Sequence, residues 1–293
     1  MEAILTSDYE NKTRRRPVLL GKYYVPIQLL KTSFKGDVYL AVSVRNFSFS
    51  RCIIKQGNPS ALIDQYNRDM KYRLLWQKSV LEDLQESVVT PGYVDYFELK
   101  GHGYLVIQYA DGKTLFEVAK NIYQDKTWKT SKLKAKRTLL NLFIASLDLV
   151  DSVHQKGYVP RDITDSNFML LKDGRLCILD FELSYAVEKK TLEHPFVLGT
   201  FGYVAPEQLK QAKPDYKEDI YSLAALLCFL LTNTAPVKFI SSNLQQVQQK
   251  LLKITLSHSL SKVIIDCLSA KRSQRPSIAT VKTAVSTYLN QLK

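Results

Sequence analysis

The chain has 293 residues, 45% of them hydrophobic and 24% charged, enough for a sizeable core in one two-lobed domain or two small ones. Its formal charge of +13 suits an anionic partner, but no basic stripe interleaved with aromatics marks a nucleic-acid surface. The longest apolar run, residues 220–231, is too short to span a bilayer, so no membrane span is expected. The four cysteines, Cys52, Cys177, Cys228 and Cys267, are scattered without CxxC spacing. That excludes a zinc ribbon or disulfide framework and, with no signal peptide at the start, points to the cytoplasm.

Residues 1–18 are polar and end in Arg14, Arg15 and Arg16, and read as a basic tail or linker. From Tyr23 to Lys55 the chain alternates in the manner of strands, with Val38, Leu40 and Val42 on one face. Turn signals at Lys35-Gly36-Asp37 and Asn46 punctuate this stretch. Residues 60–86 read as a helix carrying Leu74, Leu75, Leu81 and Leu84. Two strands follow, 93–99 and 104–109, about a turn at Lys100-Gly101-His102-Gly103. Beyond Asp111-Gly112 the pattern turns helical. Leu140, Phe143, Ile144, Leu147 and Val150 share a face within 139–153, and a hairpin is expected about Asp173-Gly174. A final helix covers 277–292. The expected fold is α+β, a strand-rich N-terminal lobe over residues 19–110 and a mainly helical C-terminal lobe over 111–293, with the binding site in the cleft between them. Of the histidines, His154 reads as structural, His102 and His194 as loop residues and His258 as a cap or surface residue, and they form no metal constellation.

The segment with chemical content is Pro160-Arg161-Asp162, followed by Asn167 five residues after the aspartate. Asp180-Phe181-Glu182 comes next, then Gly199-Thr200 through Ala205-Pro206-Glu207, and later Asp219 and Arg275. These types in this order suit phosphoryl transfer. A triphosphate needs a divalent cation, and Asn167 and Asp180 offer the hard oxygen ligands that Mg2+ prefers. A separate carboxylate, Asp162, is available to orient an acceptor hydroxyl and take its proton. Lys55, at the end of an apolar strand, is placed to hold phosphates.

These motifs resemble those of protein kinases over about residues 20–290. Gly36-Asp37-Val38-Tyr39-Leu40-Ala41, Gly157-Tyr158-Val159-Pro160-Arg161-Asp162 and the acidic Asp180-Phe181-Glu182 are further similar to the kinase domain of class III and class IV lanthipeptide synthetases, as is Asp219-Ile220-Tyr221-Ser222-Leu223. The resemblance implies a bilobal protein-kinase-like fold and a Ser/Thr kinase using Mg2+ and ATP, with GTP left open. It implies Asp162 as catalytic base, Lys55 and Thr200 beside it, and Asn167 and Asp180 as metal ligands. Gly36, Ser33, Val38 and Lys55 would face the nucleotide, Ile107 would border the base, and Gln108, Tyr109 and Ala110 would form the connector. Asp219 would anchor the catalytic loop, and Glu207 and Arg275 would form a buried ion pair. The acceptor would be a peptide or protein, on the finer resemblance a lanthipeptide precursor peptide with an acidic leader, and separate lyase and cyclase partners would then complete its chemistry.

The sequence departs from the pattern at several positions. Only Gly36 of the expected glycines is present; Lys31 and Ser33 stand at the others, and the charge of Lys31 or Lys35 is the expected compensation. Gln77 falls where a helical glutamate would pair with Lys55, with Glu82 and Glu86 off that face. Thr164 takes the place of a phosphate-binding lysine, and Glu182 that of a glycine. Two alternatives stay open: a pseudokinase acting as a binding or scaffold module, and an ordinary regulatory Ser/Thr kinase.

Overall fold

A computed structural model describes residues 19–45, 48–188, 192–197, 199–240 and 243–292. The basic tail and the Asn46 turn signal lie outside the described residues. Strands β1 (Tyr24–Lys31), β2 (Val38–Ser43) and β3 (Ser50–Gly57) precede helix α1 (Met70–Leu84). Strands β4 (Tyr93–Leu99) and β5 (His102–Gln108) follow. The five strands form one antiparallel sheet in the order β1-β2-β3-β5-β4.

Strand alternation divides β3 between two environments. Cys52 and Ile54 are buried in a small cluster with Tyr24, Ala41 and Val106 on one side of the sheet. Ile53 packs against the main core on the other side, and Lys55, two residues on, shares that face. In β2 the face expected to carry Val38, Leu40 and Val42 is only half buried, whereas Ala41 is fully buried.

Helix α1 starts ten residues later than its apolar pattern suggests. Ser60, Leu62 and Asn67 adopt positive φ, which no α-helix accommodates, and the Asp69 side chain accepts from the Tyr72 N–H to cap the first turn. The buried positions Arg73, Leu74, Gln77, Val80, Leu81 and Leu84 recur at helical intervals, while Leu75 faces solvent. The β4–β5 turn is also tighter than expected. Lys100 and Gly101 both have positive φ and close a two-residue turn, so His102 and Gly103 belong to the strand rather than the loop.

The second lobe comprises β6 (Gly112–Thr114), α2 (Leu115–Tyr123), α3 (Leu133–Gln155), the short β7 (Tyr158–Val159), and the hairpin of β8 (Phe168–Leu171) and β9 (Leu176–Ile178). Then come β10 (Tyr185–Ala186), α4 (Pro206–Leu209), α5 (Lys217–Thr232), α6 (Pro236–Phe239), α7 (Leu244–Thr255), α8 (His258–Cys267) and α9 (Ile278–Gln291). Helix α3 begins six residues before the expected face and buries Leu140, Phe143, Leu147 and Val150, with Ile144 at its edge. The apolar run 220–231 lies in α5, which is buried on every side and forms the lobe's axis. No described helix is long and apolar enough to cross a membrane.

The expected Glu207–Arg275 pair is present and bidentate. Arg275 Nη1 and Nη2 donate to the two Glu207 carboxylate oxygens, at 2.5 and 2.8 Å, and Nη1 also donates to the Lys217 carbonyl. This ties α4 to the segment entering α9.

The boundary of α1 is testable by two truncations of neighbouring leucines. Leu74→Ala, at a site 1% exposed, is expected to cost about 2–5 kcal/mol. Leu75→Ala, at 41% exposure, is expected to change stability by less than about 0.5 kcal/mol. Chemical denaturation of both variants checks the pair; equal losses would place Leu75 in the core.

Candidate active site

The catalytic loop is built from the head of α5 outward. Arg161 sits at φ +65°, a left-handed conformation that disfavours a side chain, so its surroundings must hold it there. The Asp219 carboxylate does so: Oδ1 accepts the Arg161 N–H at 3.0 Å, and Oδ2 lies 2.8 Å from His154 Nε2 on α3. The buried Arg161 guanidinium donates from Nε to Glu218 at 3.0 Å, and from Nη1 to the carbonyls of Phe196 at 2.8 Å and Leu183 at 3.3 Å. Gln208 on α4 donates to the Arg161 carbonyl. One residue thereby joins the catalytic loop, helix α5 and the segment after Asp180.

Asp162 is next in the chain. Its Oδ1 accepts from the Thr200 hydroxyl at 2.8 Å, and its Oδ2 accepts from Asn167 Nδ2 at 3.0 Å. Asn167 Nδ2 also donates to the Asp162 carbonyl, folding the loop on itself. Across the cleft, Lys55 Nζ lies 2.9 Å from Asp180 Oδ2 and 3.3 Å from Gln77 Oε1, to which it donates. Gln77 thus faces Lys55 from α1, and its Nε2 is buried without a partner.

The two aspartates respond to these surroundings in opposite directions. Burial raises the Asp162 pKa, aided by the Asp180 charge and opposed by the hydrogen bonds from Thr200 and Asn167. Burial also pushes Asp180 upward, but the charge and hydrogen bond of Lys55 outweigh it and hold Asp180 below the usual carboxylate range.

Lys55, Asp162, Asn167, Asp180 and Thr200 line one cavity of about 350 Å3, and Ser33, Gly36 and Val38 form its rim. The connector residues lie elsewhere. Ile107 is buried in the core between Ile53 and Tyr93, while Gln108 and Ala110 line a separate hollow of about 680 Å3 shared with Pro91 and Lys172. Thr164 is buried at the cavity wall and brings no charge.

Asp180 and Asn167 suit a hard divalent cation. Asn167 spends its amide nitrogen on Asp162, which leaves the amide oxygen as the available ligand. Among the described residues no group of three or more His, Cys, Asp or Glu forms a self-sufficient metal site. A cation shared with substrate phosphates fits this sparse set better than one caged by protein alone.

Two features of the site escape the motif reading. Glu218 is the buried partner of Arg161, and Lys35 Nζ reaches Glu182 Oε1 at 2.9 Å across the mouth of the cleft. The adjacent acids Glu218-Asp219 ahead of a long apolar run were the available signal for the first, because buried acids need cations.

A protein kinase domain family model matches residues 63–285, and the chain belongs to this family. The α+β architecture with a strand-rich first lobe is that of the protein kinase fold. The crystal structure of the Mycobacterium tuberculosis PknI kinase domain superposes with a TM-score of 0.68 at 20% identity, covering 93% of this chain and 99% of that one. Among curated proteins, the chain is 29% identical over 231 residues to serine/threonine-protein kinase PknA of Nostoc sp., covering 74% of this chain and 38% of the relative. It is 28% identical over 275 residues to serine/threonine-protein kinase D of Synechocystis sp., covering 89% of this chain and 51% of the relative. The chain thus spans about half the length or less of these relatives. The enzyme class expected from the motifs, a Ser/Thr protein kinase, is the class of both.

Burial pushes the Glu218 carboxyl up to about 7, against the pull of Arg161. A folded pKa raised above the unfolded 4.5 contributes stability that is fully present below pH 4.5 and is lost as pH rises through about 7. Glu218→Gln is therefore expected to flatten the fall in Tm between those pH values relative to the parent chain. An unchanged slope would assign that titration to other groups.

Proposed function

We propose that the chain transfers the γ-phosphoryl group of ATP to a Ser or Thr hydroxyl of a protein, as an ordinary regulatory Ser/Thr protein kinase. The observation that carries this reading is the convergence of two ends of one reaction in one cavity. The Lys55–Asp180 pair sits at the phosphate end, and Asp162, bonded to the Thr200 hydroxyl, sits at the acceptor end. A Mg2+ ion held by Asp180 and Asn167 would neutralise charge on the phosphates. Lys55 orients phosphate oxygens, and Asp180 keeps Lys55 aimed into the cleft. Asp162 accepts a hydrogen bond from the incoming hydroxyl, orients it and takes its proton as the new O–P bond forms and the bond between the γ-phosphorus and the β–γ bridging oxygen breaks, releasing ADP. Burial raises the pKa of Asp162, which makes it a stronger base than a solvated aspartate. Asn167 and Thr200 fix the carboxylate plane.

The relatives described above are Ser/Thr protein kinases, and this favours a regulatory kinase over the precursor-peptide kinase of the finer resemblance. On the same ground no lyase or cyclase partner is invoked. The net charge of +13 supports an acidic segment in the protein substrate. The pseudokinase reading draws on Gln77, which hydrogen-bonds Lys55 without neutralising it. Asp180 supplies a paired carboxylate instead, at 2.9 Å, and so holds the lysine in the cleft.

Thermal unfolding with nucleotide and Mg2+ tests the cleft. At a hundredfold excess over Kd, nucleotide is expected to add about 2.7 kcal/mol, a rise of roughly 5–10 °C for a domain of this size. Asp180→Asn should lose the metal-dependent part of the shift. Asp162→Asn should keep the shift but lose about 10^2- to 10^4-fold in phosphoryl transfer to a protein substrate. Binding without transfer by the parent chain would favour the binding module.

A further inference from the structure

The turn between β1 and β2 is glycine-poor, and its backbone is committed elsewhere. The Gly36 N–H donates to the Ser33 carbonyl at 3.1 Å, the Lys35 carbonyl accepts from the Asn58 N–H at 2.8 Å, and the Phe34 carbonyl accepts from Asn58 Nδ2 at 3.0 Å. Gly36, at φ +139°, lies so close to β3 that a Cβ there would sit 2.0 Å from the Gln56 carbonyl oxygen. The turn is thus fastened to the end of β3 and has little freedom to wrap phosphate with its own N–H groups. It instead projects a cation: the Lys35 ammonium crosses the mouth of the cleft to Glu182, 2.9 Å away.

Glu182 stands two residues after Asp180, its N–H donating to Asp180 Oδ1, and it lines the same cavity as Lys55 and Asn167. A second cation waits behind it. Arg73 on α1 is 2% exposed, its Nε has no partner, its Nη1 makes only a 3.5 Å hydrogen bond to the Val197 carbonyl, and the same Nη1 is 3.7 Å from the Glu182 oxygen that Lys35 holds, while its guanidinium lies 4.8 Å from the Phe196 ring centroid. A buried guanidinium so loosely paired is costly to keep, unless a carboxylate moves toward it at some stage of the cycle.

We propose that Lys35 is a phosphate-recognition residue of this chain, held in reserve by Glu182, and that nucleotide binding exchanges the Lys35–Glu182 pair for Lys35–phosphate and Glu182–Arg73 pairs. Lys35 supplies by charge what the missing glycines would supply by backbone approach. Arg73 keeps Glu182 compensated once Lys35 has left, so the exchange strands neither charge. Glu182 also sets a threshold, because any ligand must outbid it for Lys35. Adenosine, which has no phosphate, does not trigger the exchange. The proposal rests on the nucleotide-binding reading of the cleft.

Equilibrium binding of ATP, with Mg2+ and separately with EDTA, and of adenosine tests it in the parent chain, Lys35→Ala, Glu182→Gln and the double variant. Lys35→Ala is expected to weaken ATP binding about two- to fivefold, the range of a partly exposed charge pair. Glu182→Gln is expected to tighten it by a similar factor with and without metal, and to have no effect once Lys35 is absent. Adenosine affinity should be the same in all four proteins. Weakening by Glu182→Gln confined to the Mg2+ series would overturn the clasp and make Glu182 a metal ligand. ATP affinity unchanged by Lys35→Ala would overturn the role of Lys35. Binding of neither ligand by the parent chain would overturn this inference and the nucleotide reading together, an outcome distinct from the other two.

Discussion

The Asp219 carboxylate is the fixed point of the molecule. It sits in the first turn of α5, where the helix dipole favours negative charge, and it is wholly buried. Its two oxygens hold two elements: His154 at the end of α3 and the N–H of Arg161 in the loop that carries Asp162. A left-handed Arg161 is unfavourable in isolation, and the chain reverses at that residue because the Asp219 acceptor, the Glu218 partner and two carbonyls over-determine it. Asp162 follows directly, so the direction of the candidate base is set by a carboxylate more than fifty residues later in the chain.

The same clamp couples the lobes. Arg161 reaches the Phe196 carbonyl, and Arg68, just ahead of α1, donates to the neighbouring carbonyl of His194 at 2.7 Å while its guanidinium lies 4.3 Å from the Phe196 ring centroid. Tyr66 stacks on His194 with centroids 4.0 Å apart. Trp76 of α1 donates to the Ser184 carbonyl at 2.9 Å. The approach to α1 and its middle are therefore both bound to the segment that follows Asp180, and Gln77, next to Trp76, faces Lys55. A rigid frame of this kind suits a group-transfer site, since a misplacement of an ångström weakens both hydrogen bonding and orientation.

Much of this was legible in advance. Strand alternation pointed to a strand-rich first lobe, and the residue types of Lys55, Asp162, Asn167 and Asp180, with Thr200 added by the kinase resemblance, pointed to the residues that line the cleft. The register of α1 also placed Gln77 opposite Lys55. What was not legible depended on backbone conformation or on distant charges. The late start of α1 follows from positive φ at Ser60, Leu62 and Asn67, none of them a glycine whose freedom would announce it. The outward turn of Gln108 follows from close packing against Gly92, where a Cβ would meet the Gln108 side chain at 2.8 Å. Glu182 was visible as a departure from pattern, but its partner, 147 residues earlier, was not.

Charge balance gives these departures a common logic. The cleft holds Asp162, Asp165, Asp180 and Glu182 within one cavity, and four carboxylates there require cations, protons or hydrogen-bond donors. Lys55 neutralises Asp180 and Lys35 neutralises Glu182, which leaves Asp162 with hydrogen-bond donors but no cation of its own. That asymmetry is why its pKa rises while that of Asp180 falls. A charged glutamate on α1 in place of Gln77 would add a further carboxylate and compete with Asp180 for Lys55. The neutral amide of Gln77 avoids that competition, while the Glu182 charge adds to the burial that raises Asp162.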